Sequence, residues 1–205
     1  MLNSRPVDNL AAKLSARWRV VILDDHEKSR RALREAVRAA GGEVVGEAAR
    51  RTDAGPLVRQ TSPDVAIIAV GLPDGDGVDA AAEVTAGLGC PVVLLTSRTG
   101  DALVDRARAA GVMAYLLKPL RGPELAPALD LAVARFREAR ALRQGLEERK
   151  LIERAKGQLM KRYGFSEEDA FRRLRRAAMD SRRTMADIAR ALLVSEAVTR
   201  EGPTS

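Results

Sequence analysis

Five times in its first 120 residues the chain repeats one unit, a short β-branched or aliphatic run followed by a segment with helical spacing. RVVIL (19–23) ends in Asp24-Asp25, and EKSRRALREAVRAAGG follows with Leu33, Val37 and Ala40 on one face and Gly41-Gly42 as a stop. EVVGEA precedes the short helical DAGPLVRQ, and DVAIIAV (64–70) precedes the turn-rich GLPDGDG and the helical VDAAAEVTAG. PVVLLT (91–96) precedes DALVDRARAAG, and VMAYLL (112–117) runs into Lys118-Pro119. Strands that alternate with helices in this way predict a doubly wound, five-stranded parallel α/β sheet. Runs apolar throughout, such as DVAIIAV and PVVLLT, suit parallel strands covered on both faces. Aromatics make up only 3% of the chain, so its cores are built from Ala, Val, Leu and Ile.

Sheets of this kind place their sites at the carboxyl ends of the strands. Asp24-Asp25 stands there after strand one, Thr96-Ser97 after strand four and Lys118-Pro119 after strand five. Taken singly, each has a plain structural reading: a helix cap, a strand end, a solvated charge. Together, two carboxylates, a hydroxyl and an ammonium on one edge suit a divalent ion and a phosphoryl group.

The segment 18–135 resembles a response-regulator receiver domain. The resemblance rests on LDD at 23–25, LLTS at 94–97, YLLKP at 115–119 and the GLPDGDG loop. It implies that Asp24 and Asp25 hold Mg²⁺, that Thr96 and Tyr115 are switch residues, and that Lys118, followed by Pro119, binds phosphate. The family's phosphoacceptor, four residues before the loop proline, falls on Ala69, which has neither a nucleophilic oxygen nor a metal ligand. No aspartyl phosphate forms there, and any Mg²⁺ at Asp24 and Asp25 is weakened, so no cofactor is expected. Asp74 and Asp76 lie past the strand end, in poor position for in-line attack. Three readings stay open: a natural pseudo-receiver that answers to a protein or small ligand, an engineered or naturally variant form of a phosphorylated regulator, or a different strand register. The first two rest on strand three ending at Ala69.

From Pro123 a long helical pattern carries Leu125, Leu129, Ala132, Phe136, Ala139, Leu142 and Leu146 at intervals of three or four. The first half of this stripe is expected to pack on its own sheet. Ala139, Leu142 and Leu146 are expected to pair with a second copy as a coiled-coil seam. Gly145 marks a weak point, since glycine costs a helix about 1 kcal/mol relative to alanine.

The remainder reads as three helices. The first ends at Tyr163-Gly164, the second starts on a Ser166/Asp169 capping box, and the third starts near Thr184 with Asp187 as a weaker box. Ile152, Ala155, Leu159, Met160, Phe165, Ala170, Phe171, Leu174, Ala178, Met179, Ile188, Ala189 and Leu192 are the expected core. Charge is concentrated here: residues 149–183 hold 12 Lys+Arg against 5 Asp+Glu, whereas residues 1–120 hold 16 against 15. A basic module beside a near-neutral one points to a polyanionic partner.

Through IERAKGQLMKRYGFSEEDAF and LRRAAMDSRRTMADIA this segment closely resembles the ANTAR domain of bacterial antiterminators. The resemblance implies a homodimer when active that binds paired RNA stem-loops in mRNA leaders and disfavours the terminator hairpin. It also implies a partner upstream, either a sensor kinase or a ligand-sensing regulator protein. The candidate RNA contacts are Arg154, Lys156, Lys161, Arg162, Tyr163, Arg172, Arg175, Arg176, Arg182 and Arg183, with Arg173 and Phe171 as further members. The expected organisation is a flexible lead at 1–17, the receiver-like domain at 18–135, a helical linker at 136–150, the RNA-binding domain at 151–198 and a flexible tail at 199–205.

No apolar run reaches the roughly 20 residues that span a bilayer, and a single cysteine, Cys90, fits a reducing cytoplasm. Outside the receiver pocket no catalytic constellation is present, so an enzyme is not expected. A DNA-binding regulator and a pure interaction protein are the competing classes.

Overall fold

The computed structural model of the chain describes residues 17–98 and 100–200. Residues 1–16 of the expected lead at 1–17 and the last five residues of the tail lie outside them. Arg17, grouped with that lead, is held in place: its amide donates to Gly41 O, and its guanidinium pairs with Asp130 and lies over the Trp18 ring.

The β-branched runs form β1 (Arg19–Leu23), β2 (Glu43–Ala48), β3 (Val65–Ala69), a two-residue pair β4 (Gly71–Leu72) and β5 (Gly75–Asp76), then β6 (Val92–Thr96) and β7 (Ala114–Leu117). The five long strands make one parallel sheet in the order β2-β1-β3-β6-β7, so the order reverses between β1 and β3. Side chains alternate across it. Val20, Ile22, Ile67, Val93 and Leu95 face one core; Val21, Leu23, Ala66, Ile68, Val92 and Leu94 face the other.

The first core is closed by α1 (Glu27–Ala39), through Leu33 and Val37, and by the start of α5 (Gly122–Tyr163), through Leu125, Leu129 and Ala132. The second is closed by α2 (Ala54–Thr61), α3 (Gly77–Ala82) and α4 (Asp101–Ala109). Two sequence expectations shift. The helix after the loop loosens into a π turn at Glu83–Gly87, and the last strand begins at Ala114, not at residue 112. β7 is an edge strand, so Tyr115 and Leu117 stand exposed where a central strand would bury them.

The chain divides into two compact units, Met1–Arg137 and Glu138–Ser205, with the division falling inside α5. The expected linker at 136–150 is therefore part of one 42-residue helix. In the second unit, the C-terminal part of α5 meets α6 (Glu167–Ser181) and α7 (Met185–Arg200) over Ala155, Leu159, Ala170, Leu174 and Ala189. Residues 199 and 200, grouped with the tail from sequence, belong to α7.

Three local signals set these helices. Gly164, at φ +68°, takes the left-handed conformation that ends α5. Ser166 caps α6, accepting the Asp169 amide at 3.1 Å and donating to its carboxylate at 2.8 Å. Thr184 and Asp187 form the more complete reciprocal box, with Thr184 Oγ1 accepting the Asp187 amide at 3.1 Å and the Thr184 amide donating back at 3.4 Å. Each such cap stabilises by about 1 kcal/mol. Met160, Phe171 and Met179, expected in the core, are exposed, Met179 at 70%. Alanines at 155, 170, 178 and 189 bring the helices close enough to leave these large side chains outside.

Candidate functional site

Where the strand order reverses, β1 and β3 present their carboxyl ends side by side, with Leu23 in register with Ile68. Asp24 follows β1 and is fully buried. Its Oδ1 accepts the His26 amide at 2.9 Å; its Oδ2 accepts Ser29 Oγ at 2.7 Å and takes the Lys118 ammonium at 2.6 Å. Burial alone would raise the Asp24 carboxyl, but the hydrogen bonds from Lys118, Ser29 and the His26 amide outweigh it and hold the group below the ordinary carboxylate range. Asp25 is partly exposed and pairs with His26 Nδ1 at 2.6 Å.

β3 ends, as the sequence reading required, at Ala69, a buried residue paired with Leu95 of β6. The loop beyond it is a miniature hairpin, Gly71 opposite Asp76 and Leu72 opposite Gly75. It folds back so closely that a Cβ on Gly77 would lie 1.9 Å from the Ala69 carbonyl oxygen. Both loop aspartates are engaged by partners of their own. Asp74 accepts the Arg51 and Thr52 amides at 2.6 and 3.1 Å and the Thr52 hydroxyl at 3.0 Å. Desolvation opposes ionisation of Asp74, yet those donors hold its carboxyl at about 2. Asp76 caps α3 through the Val78 amide at 2.8 Å and binds Arg106 at 2.7 Å.

Thr96 closes β6, buried, with its hydroxyl spent on the Arg98 backbone: Oγ1 donates to Arg98 O at 2.8 Å and accepts the Arg98 amide at 3.1 Å. Tyr115 stands half exposed at a crevice lined by Leu94, Thr96, Leu103 and Ala107. The Lys118–Pro119 peptide is cis. An open cleft above Thr96 is edged by Asp25, His26, Asp76, Arg98, Arg106 and Lys118.

Asp24, Asp25 and His26 offer ligand atoms within 4.8 Å of one another. They do not fit a tight Mg²⁺ site, because an ammonium already neutralises Asp24 and Ala69 contributes no oxygen. Sequence reasoning missed Ser29, whose place early in the helix after the acidic pair was the available signal.

In the second unit, Arg154, Lys161, Arg162, Tyr163, Arg172, Arg175, Arg176, Arg182 and Arg183 are all exposed. Lys156 is the exception. It is buried, with its ammonium 3.0 Å from Glu153 and 2.7 Å from Glu167, so it ties α5 to α6 and has no charge left for a phosphate. The hydrogen bonds to Glu167 and Glu153 raise its pKa further, against some desolvation. Arg172 pairs with Asp169, and Arg176 lies 3.9 Å from Asp180. Arg182 adopts φ +54° as it caps α6. Phe171, expected in the core, is 41% exposed on the same helix. Of the seam residues, Leu142 and Leu146 are 65% and 57% exposed, while Ala139 is partly covered.

A doubly wound sheet with an acidic pair, a hydroxyl and a lysine at its switch point defines a receiver. The response regulator receiver domain model matches residues 20–130, and the ANTAR domain model matches residues 140–193. The chain belongs to the response regulators, as a member that joins a receiver to an ANTAR domain. It is 45% identical over 182 residues to the transcriptional regulatory protein PdtaR of Mycobacterium tuberculosis, covering 85% of this chain and 89% of that protein. The nitrate regulatory protein of Klebsiella oxytoca is 51% identical over 63 residues, 31% of this chain and 16% of that protein. The signal receiver domain of the response regulator NarL of Mycobacterium tuberculosis superposes with a TM-score of 0.53 at 32% identity, over 57% of this chain and 97% of that one. Among the described residues no helix is long and apolar enough to cross a membrane.

Proposed function

We propose that this response regulator is a cytoplasmic RNA-binding transcription antiterminator whose receiver is not switched by phosphorylation at position 69. The observation that carries the RNA reading is the coincidence of the ANTAR-matched segment with an exposed set of arginines on a small helical unit. Arginine and lysine on phosphates, with loop bases read by stacking and edge hydrogen bonds, is how proteins recognise RNA hairpins. Arg154, Lys161, Arg162, Tyr163, Arg172, Arg175, Arg176, Arg182 and Arg183 are the proposed contacts, and the ligand is a pair of stem-loops in an mRNA leader. Lys156 leaves this set because of its two carboxylate partners.

The second half of the proposal rests on Ala69 and on Lys118, which neutralises Asp24. With no acceptor oxygen, the signal reaches the receiver through a sensor protein or a ligand-bearing partner, without turnover of a substrate. Leu142 and Leu146, exposed on α5 beside Ala139, form the proposed seam of an active homodimer.

In vitro transcription through a leader that carries two stem-loops and a terminator tests the reading. Increased read-through on adding the full-length chain supports it. Binding to the leader with termination unchanged at saturating protein contradicts it.

A further inference from the structure

Past Arg137, where the second compact unit begins, α5 carries a shallow groove lined by Glu138, Ala141, Leu142, Gly145, Leu146 and Arg149, all exposed. At 3.6 residues per turn, Glu138 and Arg149 stand three turns apart on one face, with Leu142 and Gly145 between them. Leu142 and Leu146 gain nothing from facing water. Gly145 costs the helix about 1 kcal/mol relative to alanine, yet a Cβ there would meet nothing within 4 Å. No close approach inside the chain calls for a glycine at this position. A helix from outside does, because small side chains at the contact let two helix axes come nearer.

The charges of the groove give it a direction. Glu138 closes one end and Arg149 the other, and neither pairs with another side chain among the described residues. Neighbouring Lys150 already has Glu147 at 2.8 Å. Two copies laid parallel and in register would set Glu138 against Glu138 and Arg149 against Arg149. Laid antiparallel, they set Glu138 against Arg149 at both ends. Charges along a helix seam select orientation in this way. The apolar residues follow the same symmetry. Reversal about the level between Arg143 and Gln144 brings Leu142 level with Gly145 of the other copy and Leu146 level with Ala141, large beside small at each step.

We propose that a second copy of this chain docks antiparallel on this groove, the two α5 helices crossing between Arg143 and Gln144, with Glu138 of each copy paired to Arg149 of the other. This inference rests on the homodimer of the reading above and gives it a direction and a register. From the crossing to Ala155, the first buried residue of the small helical core, α5 rises about 17 Å, so the two RNA-binding units stand about 35 Å apart along the seam. The paired stem-loops of a bound leader then lie one at each end, at that spacing.

The test uses the full-length chain without RNA, so it reads the dimer independently of RNA binding. Cys90 is buried and leaves a quiet background for introduced thiols. Chains carrying Glu138→Cys and Arg149→Cys are mixed and oxidised with diamide. The expected result is a disulfide-linked pair in the mixture and little in either variant alone. Charge reversal gives a second readout by sedimentation equilibrium. Glu138→Arg or Arg149→Glu is expected to weaken the dimer by about tenfold, and the double reversal to restore it. Glu138→Cys linking to itself as readily as to Arg149→Cys overturns antiparallel docking and leaves a parallel homodimer in its place. Single reversals that leave the dimer as tight as wild type overturn it as well. A chain that stays monomeric up to millimolar concentration, with no cross-link in the mixture, removes the homodimer reading and this inference with it.

Discussion

Lys118 Nζ lies 2.6 Å from Asp24 Oδ2, at the end of a sheet whose third strand closes on Ala69. Asp24 is fully buried, and a carboxylate in that position needs a compensating cation. In this chain Lys118 supplies it from inside the protein. The same ammonium therefore cannot serve a phosphoryl group without leaving Asp24 uncompensated.

Removal of that ammonium should be felt in stability first. Lys118→Met is expected to destabilise the protein by about 3 kcal/mol, because it strands a buried charge. Chemical denaturation at neutral pH, followed by the fluorescence of Trp18, measures it. A loss that shrinks as the pH is lowered toward the Asp24 titration would confirm the carboxylate as its origin.

Ala69→Asp should behave in the opposite sense toward metal. A second carboxylate beside Asp24, with one lysine for both, is expected to lower stability by about 3 kcal/mol in chelator. Millimolar Mg²⁺ should recover much of that loss in the variant and change the wild type little. Equal Mg²⁺ stabilisation of both proteins would show that Asp24 and Asp25 already hold the ion without a third oxygen.

Acid should unfold the receiver unit through Asp24 and Asp74. Both carboxyls titrate lower in the folded protein than their ordinary value of 3.8, Asp74 at about 2. The unfolded chain therefore binds protons first as pH falls. Their contribution is complete above about pH 4 and is lost as pH drops from there toward 2. Asp74→Asn should flatten the stability–pH profile in that window while leaving the neutral-pH signal of the ANTAR-matched unit unchanged.

Much of this fold is legible in the sequence. The β-branched runs mark the strands because a buried parallel strand is apolar on both faces, and the strand ends then locate Asp24, Ala69, Thr96 and Lys118 on one edge. The caps at Ser166 and Thr184 are equally legible, because each signal lies within four residues. What sequence does not reveal depends on long-range partners. Asp74 is engaged by amides 22 and 23 residues away. Lys156 looks like any solvated lysine until α6 brings Glu167 to it, 11 residues on. Phe171 and Met179 count as core by spacing, but the alanines of α6 already fill the contact.

Arg154 and Lys156, two residues apart in sequence, should separate cleanly. Arg154→Ala is expected to leave the melting temperature unchanged and to weaken RNA binding several-fold, through one lost phosphate contact. Lys156→Ala should lower the melting temperature by several degrees, because it removes the cation between Glu153 and Glu167. Thermal melts and filter binding on the two variants distinguish a contact from a brace.

The most direct measurement is a binding titration of the full-length chain with a two-stem-loop RNA and with duplex DNA. It is run at two salt concentrations, with and without acetyl phosphate, and the protein mass is read afterwards. The predicted result is selective RNA binding that falls by about a thousandfold or more over roughly a fourfold rise in salt, with no phosphoryl adduct and the same affinity in acetyl phosphate. Equal or tighter binding to duplex DNA, or RNA binding gained only by a phosphorylated chain, would contradict the account.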